Sequence, residues 1–189
     1  LGSINLGKFV KKDARPGTGA DEGVDWDALR NVIHLSTHFL DNVIDANVYP
    51  LQDIHDLAQN IRRIGLGVMG WADMLVRLGV PYDSADGVEL GRRVMEFINE
   101  ESRSASEKLA EVRGVFPAWE ESIWGPDGKA AIGNDDTRIR PERALRNCNL
   151  TTVAPTGTIS IFAGLVVMTM KDIQFNYLFQ KETIYGCSH

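Results

Sequence analysis

Ile64-Gly65-Leu66-Gly67-Val68-Met69-Gly70 sets three glycines on the spacing G-x-G-x-x-G. The fold turns on whether this stretch is a phosphate-binding turn between a strand and a helix, or part of a helix that needs small residues. A dinucleotide fingerprint works because a buried strand feeds a tight glycine turn, whose following helix start then meets a pyrophosphate. The residues leading in, Asp53-Ile54-His55-Asp56-Leu57-Ala58-Gln59-Asn60-Ile61-Arg62-Arg63, are charged and helically spaced, so no strand is expected there. Glu89, about 20 residues past Gly70, falls on an expected helix and not at the end of a second strand. Ile54, Leu57, Ile61, Ile64, Val68, Ala72 and Leu75 predict helix across residues 51–78, with Gly65 and Gly67 marking a break or a close packing contact.

Working outward, residues 1–6 form a short apolar opening, and Pro16, Gly17, Gly19 and Gly23 mark a surface loop. Asp25 is a candidate N-cap for a helix with Leu29, Val32, Ile33, Ser36, Leu40, Val43 and Ile44 on one stripe, ending near Asn47 ahead of Pro50. Gly79 and Pro81 supply a stop, and Asp83-Ser84-Ala85-Asp86 opens a further helix to about Val112. Residues 116–143 are loop-rich, with one short helix expected at 119–124. The texture then changes. Asn149-Leu150-Thr151-Thr152-Val153-Ala154 suits a buried strand, and Pro155-Thr156-Gly157-Thr158 is turn chemistry directly before a helix start at residues 159–163. Strand, glycine-containing turn and helix start is the layout of a phosphate cradle, with free backbone N–H groups and the hydroxyls of Thr156, Thr158 and Ser160. The same residues also suit a turn whose hydroxyls only cap the backbone.

The composition is globular, 43% hydrophobic and 24% charged over 189 residues, enough for one domain with a core. A formal net charge of −6 without a basic cluster argues against a nucleic-acid polymer or an anionic membrane as partner. The longest apolar run, residues 159–170, is too short for a membrane span, and no targeting signal opens the chain, so a cytoplasmic location is expected. Cys148 and Cys187 are too few for a disulfide framework or a zinc site. His34 and His38 share one helix face but lack the third ligand a metal needs, and Glu96, Glu100 and Glu101 read as a solvated face.

Three blocks together resemble a known family: Leu1-Gly2-Ser3-Ile4-Asn5-Leu6, then Arg62-Arg63-Ile64-Gly65-Leu66-Gly67-Val68-Met69-Gly70-Trp71-Ala72-Asp73, then Arg146-Asn147 followed by residues 150–160. In this order they are similar to the large, catalytic subunit of ribonucleotide reductase, with the last block most like the adenosylcobalamin-dependent, class II enzymes. The resemblance covers residues 1–164 and implies an α/β, helix-rich slice of the family's ten-stranded α/β barrel. It implies a thiyl-radical reduction of ribonucleotides to deoxyribonucleotides, with adenosylcobalamin as cofactor, contacted mostly outside this chain. A ribonucleotide substrate, a thioredoxin-like reductant, the remainder of the reductase chain and a second copy in a homodimer are the implied partners. Ala154, Pro155, Thr156, Gly157, Thr158, Ile159 and Ser160 correspond to the family's substrate-phosphate loop. No catalytic residue and no metal ligand is expected among these residues, because the family's radical cysteine is expected upstream of Leu1; an internal fragment, inactive alone, is the resulting expectation. A class I large subunit, or a non-catalytic helical module with a structural Thr-Gly-Thr turn, are the alternatives. From Leu165 the family's Ser-Gly-Ile-Glu-Pro segment is missing, so residues 165–189 are expected to be a divergent tail, partly of other origin.

Overall fold

A computed structural model describes residues 1–14, 21–126 and 131–165. β1 (Gly2–Asn5) passes through a 3-10 turn (Leu6–Lys8) to α1 (Trp26–Ala46) and α2 (Gln52–Ile61), and the chain returns as β2 (Leu66–Met69). β2 is parallel to β1, in the register Gly2↔Leu66 to Asn5↔Met69. α3 (Trp71–Leu78) and α4 (Ala85–Arg113) then carry the chain back to residues 149–152, which lie along the other edge of β2. There Ile64 N–H donates to Asn149 O (3.0 Å), Leu66 N–H to Leu150 O (2.8 Å) and Thr152 N–H to Leu66 O (3.1 Å), around a parallel bridge between Leu66 and Thr151. Three parallel segments thus neighbour one another in sequence order, joined by helical crossovers as in α/β folds. Of the strand expected at 149–154, only this short ladder at 149–152 forms.

The helix expected across residues 51–78 is two helices separated by a strand. α2 stops where Arg62 turns left-handed (φ 46°), and Ile64 through Gly70 are all buried. A helix on a surface leaves one face in water, whereas a strand with a neighbour on each edge and helices over its faces leaves none. The apolar run Ile64 to Met69 obeys the second rule, and the spacing of Ile61, Ile64 and Val68 mimics a helix only because two elements meet at a turn. The expectation of close packing survives. A Cβ on Gly67 would stand 2.9 Å from the Thr152 carbonyl oxygen, and one on Gly65 2.5 Å from the Leu1 side chain. These glycines lie at the start and middle of the strand rather than in a turn after it, so the geometry of a dinucleotide fingerprint is not reproduced.

Elsewhere the caps act as read. Asp25 accepts from the Ala28 N–H at the start of α1, Ser84 accepts from the Gly87 N–H at the start of α4, and Asn47 and Gly79 close α1 and α3. The short helix expected at 119–124 is a 3-10 turn, Trp119–Glu121, and α5 (Gly157–Phe162) begins inside the Thr-Gly-Thr stretch, with Thr156 at its N-cap, two residues ahead of the expected start at 159. One core joins β1, β2, α1, α3 and α4 through Ile4, Leu29, Ile33, Leu66, Met74 and Ile98. A second, smaller cluster gathers Phe116, Ile123, Trp124, Leu145 and Cys148. α2 buries nothing, and its Leu51, Ile54 and Leu57 stand exposed. No helix among the described residues is long and apolar enough to cross a membrane. The tail expected to diverge lies outside the described residues, apart from Leu165.

Candidate functional site

The loop singled out from sequence leaves the third parallel segment at its C-terminal end. Ala154, Thr156 and Gly157 are half-buried, Pro155, Thr158 and Ile159 are exposed, and Ser160 is buried. Thr156 is left-handed (φ 50°), an uncommon state for a β-branched residue that reverses the chain into α5. The first bond of α5 runs from Ser160 N–H to Thr156 O (2.9 Å), so the N–H groups of residues 157–159 lie ahead of it, as at any helix start. Among the described residues, none lies within 4 Å of where a Gly157 Cβ would stand, which leaves its backbone beside open space there. Ser160 departs from the expected picture: its hydroxyl donates to the Thr156 carbonyl and braces the turn instead of facing an anion. Beyond α5, the Leu165 side chain lies 3.3 Å from where a Gly70 Cβ would stand, and Asn5 Oδ1 is 2.6 Å from that same point. Leu165, just beyond α5, therefore comes back to the C-terminal ends of β1 and β2, the end at which α/β folds bind ligands.

At the opposite end of residues 147–152 sits a cluster of buried charges. Asp41, on the core face of α1, is fully buried. Its Oδ1 accepts from Arg62 Nε (3.0 Å) and Asn147 Nδ2 (2.9 Å), and its Oδ2 from Arg113 (3.0 Å). The Arg62 fork also binds Asp45 through both terminal nitrogens, at 2.8 and 2.9 Å. Asn147 Nδ2 donates as well to the Arg62 carbonyl (3.0 Å), while Asn147 Oδ1 accepts from Ser106 Oγ (3.0 Å). Burial works to depress the Arg62 pKa, but hydrogen bonds and attraction from Asp45 and Asp41 outweigh it and leave it raised. For Arg146 the balance reverses: burial, then repulsion from Arg62, lowers its pKa further than attraction to Asp41 and Asp45 raises it. The sequence pointed to Arg62, Arg146 and Asn147 only through the resemblance, and it missed Asp41. The available signal was a carboxylate on the same helical stripe as Ile33, Leu40 and Ile44, where water is excluded.

The remaining candidates fall to structural roles. His34 faces Glu101 at 2.8 Å and His38 Nε2 accepts from Arg113 at 3.0 Å, so the two do not share a ligand. Among the described residues no group of three His, Cys, Asp or Glu could hold a metal. Glu101 is not solvated as expected: burial pushes its pKa up, but hydrogen bonds from Arg30 and His34 hold it below the ordinary value. Cys148 is buried, and its carbonyl accepts from Trp124 Nε1. A cavity of about 310 Å³ lies between β1 and α1, lined by Leu1, Ser3, Phe9, Val32, Phe39 and Leu40 among others. That is the small end of the range for ligand pockets, and no histidine lines it. A corrin with its nucleotide arm does not fit that cavity.

Parallel segments joined by helices are the arrangement of an α/β domain, and the chain matches the ribonucleotide reductase barrel domain over residues 1–171. It belongs to that family. It is 48% identical over 164 residues to the vitamin B12-dependent ribonucleoside-diphosphate reductase of Thermoplasma acidophilum, covering 87% of this chain and 18% of that protein. The protein of the same description from Mycobacterium tuberculosis is 42% identical over 164 residues, 87% of this chain and 20% of the relative. Ribonucleoside-diphosphate reductase subunit alpha of Chlamydia muridarum is 32% identical over 209 aligned positions, 98% of this chain and 19% of the relative. The chain thus spans about a fifth of the length of these relatives.

Proposed function

We propose that this chain is part of the ten-stranded catalytic barrel of a vitamin B12-dependent ribonucleotide reductase, and that Ala154-Pro155-Thr156-Gly157-Thr158-Ile159-Ser160 hold the phosphates of a ribonucleotide substrate. The carrying observation is the placement of this turn at the C-terminal end of a parallel segment, with the helix-start amides of residues 157–159 beside open space. Phosphates are a handle that fixes the sugar without introducing an acid or base near the reacting carbons. Amides and the Thr156 and Thr158 hydroxyls supply donors only, and Ser160 supports the turn from beneath. The greater identity to the proteins named vitamin B12-dependent than to subunit alpha favours the cobalamin-dependent type, with adenosylcobalamin bound by other parts of the protein. A thioredoxin-like reductant, the rest of the reductase chain and a homodimeric partner complete the proposal, in a cytoplasmic enzyme. The radical cysteine belongs to that remainder, so the 189 residues alone reduce no nucleotide.

The test replaces the two turn residues, T156A with S160A, in a full-length reductase carrying these residues. KM for the phosphorylated substrate should rise about tenfold, the equivalent of one hydrogen bond to a charged group. Unchanged KM and kcat would remove the loop from the substrate site.

A further inference from the structure

We infer that Asp41, Arg62 and Asn147 are positioning residues for the phosphate loop: they fix the register of residues 147–152 against β2, and through it where the turn at Thr156 presents its amides. The inference rests on the proposed loop and concerns what holds it in place.

Between Asn147 and Thr152 the chain is tied on both sides. On one side Cys148 N–H donates to Ile61 O (3.1 Å), and the ladder to Ile64 and Leu66 follows. On the other, Thr151 Oγ1 donates to Asn99 Oδ1 (2.6 Å) on α4, and Ser106 Oγ accepts from the N–H groups of both Arg146 (3.0 Å) and Asn147 (3.1 Å). Backbone ladders alone tolerate slippage, because a parallel pair shifted along its length regains most of its hydrogen bonds. Side chains set the register here. Asn147 Nδ2 fits one place only, between Asp41 Oδ1 and the Arg62 carbonyl, and any slip withdraws it from a fully buried carboxylate.

The geometric leverage is large. A slip of one residue carries the chain about 3.3 Å and turns every side chain to the opposite face, while a hydrogen bond to an anion tolerates a few tenths of an ångström. Arg62 joins the two sides of the lock. Its left-handed backbone ends α2 and starts the run into β2, and its guanidinium returns to Asp41 and Asp45 on α1. One residue therefore couples the start of β2, the helix above it and the segment that leads to the loop.

The experiment uses the full-length reductase carrying these residues, with two variants: Asn147→Ala, and the milder Ser106→Ala, which removes the bond to Asn147 Oδ1 and the acceptor of the Arg146 and Asn147 N–H groups at a site where alanine suits the helix. KM for the ribonucleotide and the inhibition constant of pyrophosphate are compared with the inhibition constant of the unphosphorylated ribonucleoside, and thermal unfolding confirms that each variant is folded at the assay temperature. A positioning role predicts about a tenfold weakening for the two phosphate-bearing compounds with Asn147→Ala and about threefold with Ser106→Ala, the nucleoside remaining within twofold. Equal weakening of all three compounds, or none in the folded variants, overturns the positioning role. If Asn147→Ala does not fold, the Ser106→Ala comparison alone decides. If the parent enzyme binds pyrophosphate no differently in the T156A/S160A background, the loop assignment fails instead, and the two failures are distinguishable.

Discussion

The two ends of residues 147–160 are built on opposite physical plans. At the Asn147 end, Asp41 and Arg62 are almost completely removed from water and are held by each other and by Asn147. At the Thr156 end, Thr158 and Ile159 face solvent, Gly157 borders open space, and one backbone torsion is strained. The first arrangement admits no ligand, and the second has donors to offer one. Order at the closed end is what allows the open end to be sparse, because a short loop inherits its position from the segment that feeds it.

The largest effect expected from breaking this contrast is at Asp41. Asp41→Ala leaves the buried Arg62 with Asp45, which is half-exposed, as its remaining carboxylate, and leaves Asn147 Nδ2 without its own. Removing one partner of a buried pair costs about 3–5 kcal/mol, a large share of the ~5–15 kcal/mol by which a native protein is stable. The denaturant midpoint should fall accordingly. A loss under about 1 kcal/mol, the range of surface pairs, would mean that the closed end is not closed and would erase the comparison.

Gly67 gives a smaller effect but a sharper one, since its sign separates two folds. In a helix interior Gly→Ala stabilises by up to about 1 kcal/mol. In β2 the added Cβ would stand 2.9 Å from a backbone oxygen of the neighbouring segment, so Gly67→Ala should cost about 1–3 kcal/mol by overpacking. Equilibrium unfolding of that single variant reads the answer. The same residue shows why the sequence was only partly legible. Signals that act within one turn, such as Asp25 at the start of α1, residues 83–86 at the start of α4 or Gly79 as a stop, placed α1, α4 and the end of α3 nearly to the residue. The strand character of Leu66–Met69 comes from residues 2–5 and 149–152, which no local pattern brings together. The turn at Thr156-Gly157-Thr158 was readable because its chemistry is local. The commitment of the Ser160 hydroxyl to the Thr156 carbonyl, and the burial of Asp41, became visible only in three dimensions.

The smallest expected effect lies at the outer edge of the closed end, where Asp45 is about half-exposed (51%) beside a buried Arg62 (3%). The hydrogen bond from Arg62 holds the Asp45 carboxyl below the ordinary carboxylate range, against the opposing pull of desolvation. A carboxyl whose folded pKa is depressed contributes stability above its unfolded value, about 3.9, and loses that contribution as pH falls through the lower folded value. Asp45→Asn should therefore lower stability slightly at neutral pH, by less than about 1 kcal/mol because water screens the exposed side of the pair, and should flatten the decline in stability below about pH 4. Salt at molar concentration should shrink the difference at neutral pH, since screening reaches an exposed carboxylate more readily than a buried one. Acid unfolding curves of parent and variant, recorded at low and high salt, make the measurement. Curves that superimpose would show that the Arg62 fork gains nothing from Asp45 and that Asp41 alone secures it, which would draw the boundary of the closed end one helical turn closer to the core.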